Sequence, residues 1–100
     1  MMQTWVDQHD EVWIDDGGLL HHGRAWVALP DLEWRLMQPL VEHMGELVRR
    51  DELTRAGWPG RAVAASALNV RIKKARQRVK PLGLQITTVR GRGYVLAPGA

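Results

Sequence analysis

The clearest periodic pattern in the chain lies between Leu68 and Val79. Apolar residues recur in this segment at spacings of four, three and four, through Leu68, Ile72, Ala75 and Val79. This spacing predicts an α-helix with one apolar face, because residues three and four apart lie on the same side of a helix. The opposite side is mainly polar and basic, and the segment contains no acid. The pattern therefore predicts a helix that buries one face and offers the other to a polyanion.

The first 29 residues predict a meander of short antiparallel strands. Apolar or aromatic patches lie at 5–6, 12–14, 19–20 and 26–29, and turn-prone Asp-Gly and His-Gly stretches separate them. The three tryptophans in these patches are expected to be buried or half-buried packing residues. They are Trp5, Trp13 and Trp26.

Pro30 opens the first predicted helix, which runs to about His43, because proline is well tolerated in a first turn. The helix carries two apolar stripes, so we expect it to lie between two layers. Pro39 within it predicts a bend but not a break. The stripes consist of Leu32, Leu36 and Leu40 on one side and Trp34, Met37 and Val41 on the other.

A short strand at Leu47-Val48 and a second, short helix over Arg50–Gly57 are predicted next. The third helix begins near residues 64–66 and ends at Pro81-Leu82-Gly83. Two β-prone runs, 84–89 and 94–96, then flank Arg90-Gly91-Arg92-Gly93, which predicts a hairpin. The glycines at its tip allow tight curvature and close approach to a ligand surface.

Charge is distributed very unevenly along the sequence. Residues 1–60 contain all eleven acids and five arginines, a balance of −6, whereas residues 61–100 contain nine bases and no acid, a balance of +9. Forty consecutive residues without a carboxylate suit a surface that binds a phosphate backbone. We therefore expect the C-terminal part of the chain to face nucleic acid.

Several classes of function are disfavoured by the composition. The chain has no cysteine, which excludes disulfides and thiolate metal sites. No apolar run approaches the length of a membrane span, and no secretory signal pattern is found at the N-terminus. The four histidines lack ligand spacing, and no catalytic set stands out, so we expect no enzyme activity, no metal and no cofactor. The expected location is the cytoplasm, on the nucleoid.

The order of elements resembles the winged-helix effector domain of OmpR/PhoB-type bacterial transcription regulators. The strongest likeness is Ile86-Thr87-Thr88-Val89-Arg90-Gly91-Arg92-Gly93-Tyr94, which looks like the wing signature of that family. The segment Leu68–Val79 matches the pattern of its recognition helix. Leu29 with Glu33, Trp34 and Leu36 resembles the start of its first helix. Gly45-Glu46-Leu47-Val48 with Leu53 and Trp58 resembles its turn and second helix.

The resemblance implies an α+β fold, a winged helix-turn-helix with an N-terminal antiparallel β-sheet, three helices and a C-terminal β-hairpin wing. We expect one domain over residues 1–100, with the sheet in 1–29, the helices in 30–80 and the wing hairpin in 84–97. Nothing in the sequence corresponds to a receiver domain, so either a receiver was removed or the protein never had one. The initial Met-Met and the strand pattern from residue 4 favour a chain that naturally begins at Met1, and a DNA-binding domain at the N-terminus of a longer protein is a third alternative.

Three departures from the family pattern limit what can be carried over. Pro30 stands where the family usually has threonine, so Asp31 is expected to replace the lost helix cap. Ser66 and Asn69 stand where an arginine and an acid are common. The base preference of other members therefore does not transfer to this chain.

Within this fold, the recognition helix at about 65–80 would enter the major groove and the wing at 86–96 would reach the minor groove. The side opposite the apolar stripe supplies the expected base contacts, because lysine and glutamine can pair with base edges and valine can pack on a thymine methyl group. These are Ser66, Asn69, Val70, Lys73, Lys74 and Gln77. Residues at the flanks and on the wing strand are expected to hold phosphates. They are Arg61, Arg71, Arg76, Arg78, Lys80, Thr87 and Thr88.

Arg90 and Arg92 at the wing tip are expected to enter the minor groove, where narrow A·T-rich tracts concentrate negative potential. An ion pair from Arg90 to the acidic part of the domain is an equally favoured alternative. Double-stranded DNA is the expected partner, with RNA polymerase and a tandem dimer on DNA as further candidates. Two other functions stay open, namely a protein-docking winged helix and a sequence-tolerant, nucleoid-type DNA binder.

Overall fold

The computed structural model describes residues 4–6 and 11–99, and the side chains from residue 11 onward. Four strands come first in the chain: β1 Thr4–Val6, β2 Glu11–Ile14, β3 Leu19–His22 and β4 Ala25–Ala28. The rest contains α1 Asp31–Glu42, β5 Val48–Arg49, α2 Arg50–Gly57, α3 Ala65–Val79, β6 Leu84–Val89 and β7 Gly93–Pro98. A 3-10 turn at Lys80–Leu82 follows α3. The order of elements and the type of each confirm the sequence prediction.

The four N-terminal strands form an antiparallel sheet in the order β1-β2-β3-β4, which is the predicted meander. Side chains alternate between the two faces of a strand, so Val12, Ile14 and Leu20 share the inner face. All three are buried. The inner face of this sheet therefore forms one wall of the core.

The outer face of the same sheet corrects one prediction. Trp26 is 60% exposed, so it is neither buried nor half-buried. The register aligns Trp13 with His21 and His21 with Trp26 on the outer face. Trp13 is half-buried because it stacks on the His21 ring, with centroids 4.3 Å apart. The side chain of Trp5 lies outside the described residues.

Helix α1 lies between the two sheets and packs against α2 and α3, as its two apolar stripes predict. Leu36, Met37, Leu40 and Val41 are all buried. The helix continues through Pro39, so the proline does not break it.

The expected helix cap from Asp31 is wrong. The N-cap residue is Pro30, and no side chain makes a capping hydrogen bond there. Asp31 is the first residue inside the helix. Its carboxylate can therefore interact favourably with the positive end of the helix dipole, although it does not cap the helix.

The second sheet has the order β5-β7-β6, and β5 begins one residue later than predicted. Gly93 is required where β7 approaches β5. A Cβ at this position would overlap the Val48 carbonyl oxygen and lie 2.9 Å from the Arg49 Cα. The close approach predicted for the wing glycines is therefore made by Gly93 to the protein's own strand β5.

Candidate nucleic-acid interface

Helix α3 separates buried and exposed side chains as its sequence predicts. Its buried residues are Leu68, Ile72, Ala75 and Val79, which join the core formed by α1 and both sheets. The side chains on the opposite side are all exposed, and Val70 is 51% exposed although it is apolar. These exposed residues include all six expected base contacts, Ser66, Asn69, Val70, Lys73, Lys74 and Gln77.

The basic residues at the flanks of α3 differ in exposure. Arg61, in the loop before α3, and Lys80, just after it, are exposed. Arg71, Arg76 and Arg78 are half-buried. Arg76 and Arg78 have partners within the protein that the sequence did not predict, so their guanidinium groups are held in place before any ligand binds.

Arg76 joins the recognition helix to the wing. Its Nε donates a hydrogen bond to the carbonyl oxygen of Ile86 at 2.8 Å, and its Nη2 donates to the Thr88 hydroxyl oxygen. Both partners lie on β6. Arg76 and Thr88 were predicted to hold phosphates, and these bonds use part of the donor capacity of the arginine and one acceptor site of the threonine.

Arg78 joins α3 to α1 through a buried carboxylate. Its Nε donates to Oε1 of Glu33 at 3.4 Å, and Glu33 is 1% exposed. A charge buried to this degree is tolerated only with a partner, so this pair ties the two helices together. The sequence shows Glu33 only as an acid in the first turn of α1, since its partner lies 45 residues further along the chain.

Arg50 also contacts residues of the candidate interface, a role that was not predicted from the sequence. Its Nη1 donates to the Tyr94 hydroxyl at 2.6 Å, and its Nη2 donates to Oδ1 of Asn69 at 2.9 Å and to the Ala65 carbonyl oxygen at 3.3 Å. These bonds connect the start of α2 to α3 and to β7. No local sequence signal identifies this role, because the partners lie 15 to 44 residues away.

Asn69 is therefore an exposed residue whose amide oxygen already accepts one hydrogen bond. A bidentate contact to adenine needs both the oxygen and the nitrogen of an amide side chain. The bond from Arg50 uses one of the two acceptor sites of the Asn69 oxygen and leaves the amide nitrogen available, so Asn69 keeps an acceptor and a donor while Arg50 restricts the orientation of its amide group.

The wing tip is formed by Arg90, Gly91 and Arg92 between the paired ends of β6 and β7. Gly91 has a φ of +74°, a conformation that glycine adopts at little cost. Both arginines are exposed, as is Thr87 on β6. Within residues 11–99 Arg90 forms no ion pair, so the alternative of a structural pair with the acidic part of the chain is not observed in the part that the structure describes.

A polar cluster of a different kind lies in the turn between β2 and β3. Asp15 accepts hydrogen bonds from the backbone N–H groups of Gly17 at 2.8 Å and Leu19 at 3.0 Å, and its second oxygen lies 2.8 Å from Nε2 of His21. The bond with His21 is the main cause that lowers the pKa of the Asp15 carboxyl, and the bond from Leu19 adds to it. This cluster folds a turn and lies apart from α3 and the wing in the sequence.

The described residues contain no group of three or more histidine and acidic side chains placed to hold a metal ion. His9 lies outside the described residues. None of the helices in the described ranges combines the length and apolar character needed to cross a membrane.

Comparison with known proteins agrees with this geometry. The profile of the family described as "Transcriptional regulatory protein, C terminal" matches residues 23–96, which include α1, α2, α3 and most of the hairpin. The chain belongs to this family. It is the family of OmpR/PhoB-type C-terminal effector domains, so the resemblance seen in the sequence is confirmed. It is a family of transcription regulator domains and not of enzymes.

Individual proteins of known sequence or structure are also similar to this chain. Protein PetR of Rhodobacter capsulatus is 34% identical over 92 residues, which cover 83% of this chain and 39% of PetR. The chain thus spans less than half of the length of that relative.

The DNA-binding domain of RstA from Klebsiella pneumoniae, solved in complex with the RstA box, is 26% identical with a TM-score of 0.70, over 96% of this chain and 98% of that one. The C-terminal domain of the nisin resistance regulator NsrR is 27% identical with a TM-score of 0.72, over 89% and 94%. These likenesses confirm the winged-helix fold.

Proposed function

We propose that this chain binds double-stranded DNA sequence-specifically as the effector domain of a bacterial transcription regulator. The observation that carries the proposal is the exposed, acid-free face of α3 beside a wing tip with two exposed arginines. Membership of the OmpR/PhoB-type family supports it, as does the RstA relative, which is described as bound to its DNA box. The whole of residues 1–100 acts as one domain in this proposal.

Base contacts come from the middle of the exposed face of α3. Lys73 and Lys74 donate to guanine O6 and N7, Gln77 pairs with adenine, and Val70 packs on a thymine methyl group. Ser66 lies one turn before Val70 on the same face, and Asn69 contributes through its amide group, whose orientation Arg50 restricts.

Phosphate contacts come from the flanks of α3 and from β6. Arg61, Arg71 and Lys80 have no hydrogen bond to other described side chains, so they are the freest phosphate ligands. Arg76, Arg78 and Thr88 contribute only the groups that their internal partners leave available, and Thr87 offers its exposed hydroxyl. Arg90 and Arg92 occupy the minor groove next to the site read by α3.

The test is selection of bound sites from random DNA, followed by affinity measurement for the selected site with the wild-type chain and Lys73→Ala. The variant should lose about 1–3 kcal/mol on the selected site and should tolerate any base at one position. Arg61→Ala is the matched control, since a phosphate contact should weaken binding to all sequences uniformly and reduce the dependence on salt.

Each competing function predicts a different result in the same experiment. No binding to any DNA at low or moderate salt would replace the proposal with a protein-docking function, for which RNA polymerase is a candidate partner. Binding without enrichment of any sequence would support a nucleoid-type binder. Enrichment of two half-sites about one helical turn apart would add a tandem dimer. A cytoplasmic location on the nucleoid is part of the proposal.

A further inference from the structure

Strand β4 is an open edge of the N-terminal sheet. Among the described strands it pairs only with β3. The N–H of Leu29 donates to the Gly18 carbonyl at 3.2 Å. Because antiparallel pairing alternates, Val27 also points its backbone groups toward β3, and the N–H and C=O groups of Trp26 and Ala28 point away from it. Within residues 11–99 no other element forms a backbone hydrogen bond with these outward groups.

A groove of about 350 Å³ lies on one side of this edge. Its lining includes Val27 from β4 and four residues from the C-terminal part of α3 and the turn after it, Lys74, Gln77, Arg78 and Pro81. Two of these are cations and none is an acid. Lys74 is exposed, and Arg78 uses its Nε for Glu33 and keeps 39% of its side chain exposed. The groove is therefore suited to carboxylates.

The other side of the same edge is apolar. Trp26 and Ala28 project on the outer face of the sheet, opposite to Val27, and both are exposed. A strand added beside β4 would place alternate side chains toward the groove and toward Trp26. Acidic residues would meet Lys74 and Arg78, and apolar residues would pack on the Trp26 ring.

We infer that the outer edge of β4 is a docking site for an extended, acidic segment of a partner protein, in which carboxylate and apolar residues alternate. Main-chain hydrogen bonds to Trp26 and Ala28 supply affinity, and the two kinds of side-chain neighbour supply specificity. Lys74 and Gln77 belong to both the groove and the proposed DNA-reading face. Occupation of the groove therefore opposes DNA binding, a consequence that rests on the proposed function.

The positive charge beside β4 favours an acidic strand over a second copy of the chain as the binding partner of this edge. Two copies joined through their β4 edges would bring two sets of Lys74 and Arg78 close together, and like charges in such an arrangement repel. An acidic strand neutralises the same cations. A DNA duplex cannot form the main-chain pairing that the edge offers.

The direct test uses a short capped peptide of alternating glutamate and valine carrying a fluorophore, with anisotropy measured in the absence of DNA. The peptide should bind saturably. Two control peptides should bind weaker by roughly tenfold or more, one with lysine in place of glutamate and one with the glutamates and valines separated into two blocks. Equal affinity for the lysine peptide, or no binding of the alternating one, overturns the inference.

Ala28→Pro removes an outward N–H without touching the pairing with β3, because proline is accepted on an edge strand where its nitrogen faces solvent. It should abolish peptide binding, whereas Ala28→Ser keeps the N–H and should bind like the wild type. Circular dichroism and thermal unfolding check that both variants fold. If Ala28→Pro fails to fold, Lys74→Glu and Trp26→Ser serve the same purpose, and unchanged peptide affinity in both contradicts the site.

Two further results separate this inference from the proposed function. Excess peptide should release DNA from the wild-type chain but not from Ala28→Pro. If the wild-type chain binds DNA and peptide at the same time, the inferred competition between them is wrong. A chain that binds the peptide but no DNA contradicts the proposed function and leaves the docking site supported. Concentration-dependent dimerisation in sedimentation, lost in Ala28→Pro, would instead assign the edge to a second copy.

Discussion

The two sheets of this domain expose their edge strands to very different surroundings. On β6, antiparallel alternation points the backbone of Ile86 and Thr88 outward, and Arg76 occupies the Ile86 carbonyl at 2.8 Å. On β4, no backbone group within residues 11–99 covers the outward groups of Trp26 and Ala28 in this way. Helix α3 packs against β6 and leaves a groove beside β4. A groove of about 410 Å³ also lies beside β6, so the difference between the two edges is the Arg76 bond to the Ile86 carbonyl oxygen, which has no counterpart among the described contacts of β4.

The turn between β2 and β3 and the C-terminal sheet differ in how far their contacts reach along the chain. Within that turn the contacts are local, such as the pair Asp15 and His21, six residues apart, although the neighbouring His22 ring on β3 contacts the carbonyl oxygen of Leu82, 60 residues away. The C-terminal sheet depends on distant ones, such as Arg50 with Tyr94, 44 residues apart. A change in the N-terminal turn should therefore have local effects, whereas a change in the C-terminal sheet should also disturb α2 and α3.

The largest effect is expected at the contact between β5 and β7. Gly93→Ala places a methyl group against the Val48 carbonyl oxygen, and backbone atoms cannot move aside as a flexible side chain can. We expect the free energy of unfolding to fall by about 3 kcal/mol or more, measured by urea denaturation.

Gly17→Ala in the β2–β3 turn is the matched control for Gly93→Ala. An added Cβ there has Asp15 Oδ1 at 3.4 Å as its only neighbour within 4 Å. If Gly17→Ala lost as much stability as Gly93→Ala, the β2–β3 turn and the β5–β7 contact would not differ in their tolerance of an added methyl group.

A smaller effect is expected when the covered edge is opened. Arg76→Ala removes the bonds to Ile86 and Thr88, and the loss of charge-assisted hydrogen bonds should lower the free energy of unfolding by about 1.5–3 kcal/mol. Hydrogen exchange should accelerate in β6 more than in β4, because no described side chain covers the outward backbone of β4 as Arg76 covers that of β6. Arg71→Ala is the control, because Arg71 has no hydrogen-bond partner among the described side chains. If Arg76→Ala and Arg71→Ala lowered the free energy of unfolding equally, the bonds from Arg76 would not distinguish the β6 edge from the β4 edge.

The smallest effect is expected in the N-terminal turn and depends on pH. The pKa of Asp15 is lowered below its ordinary value of 3.8, mainly by the hydrogen bond with His21. A carboxyl group whose pKa is lower in the folded state stabilises the fold at pH values above its pKa in the unfolded state. This stabilisation is lost as the pH falls through the pKa of the folded state.

Thermal unfolding of the wild type and Asp15→Asn should therefore differ near neutral pH and converge below pH 3.8. Asp16→Asn is the control, since Asp16 is exposed and should show no such convergence. A constant difference between the wild type and Asp15→Asn across this range would exclude the Asp15 carboxylate as its cause.

The sequence predicts most of the fold because its elements are set by local periodicity and turn residues. Leu68, Ile72 and Val79 lie on one face of any helix that contains them, and all three are buried. The exposure of the opposite face follows from the same geometry. The boundaries of β5 were shifted by one residue because two-residue strands carry no periodicity.

Periodicity does not show what covers a given face. Trp26 alternates correctly along β4, but none of the described elements covers its side chain, so it is exposed. The partners of Arg50, Arg76 and Arg78 depend on how helices and strands meet in space. The sequence alone does not distinguish arginines that stabilise the fold from arginines whose guanidinium groups are available to bind a ligand.

Tyr94 has a consequence for how a duplex would have to fit. The guanidinium carbons of Arg50 and Arg76 lie 5.7 and 6.0 Å from the centre of its ring. Helices α2 and α3 therefore both contact one buried aromatic side chain of the wing hairpin. The separation between helix and wing is then fixed in advance, and little conformational entropy is lost when they bind. In the proposed complex the nucleic acid would make the adjustment, and DNA sequences that can vary the spacing and width of their grooves at low elastic cost would be favoured.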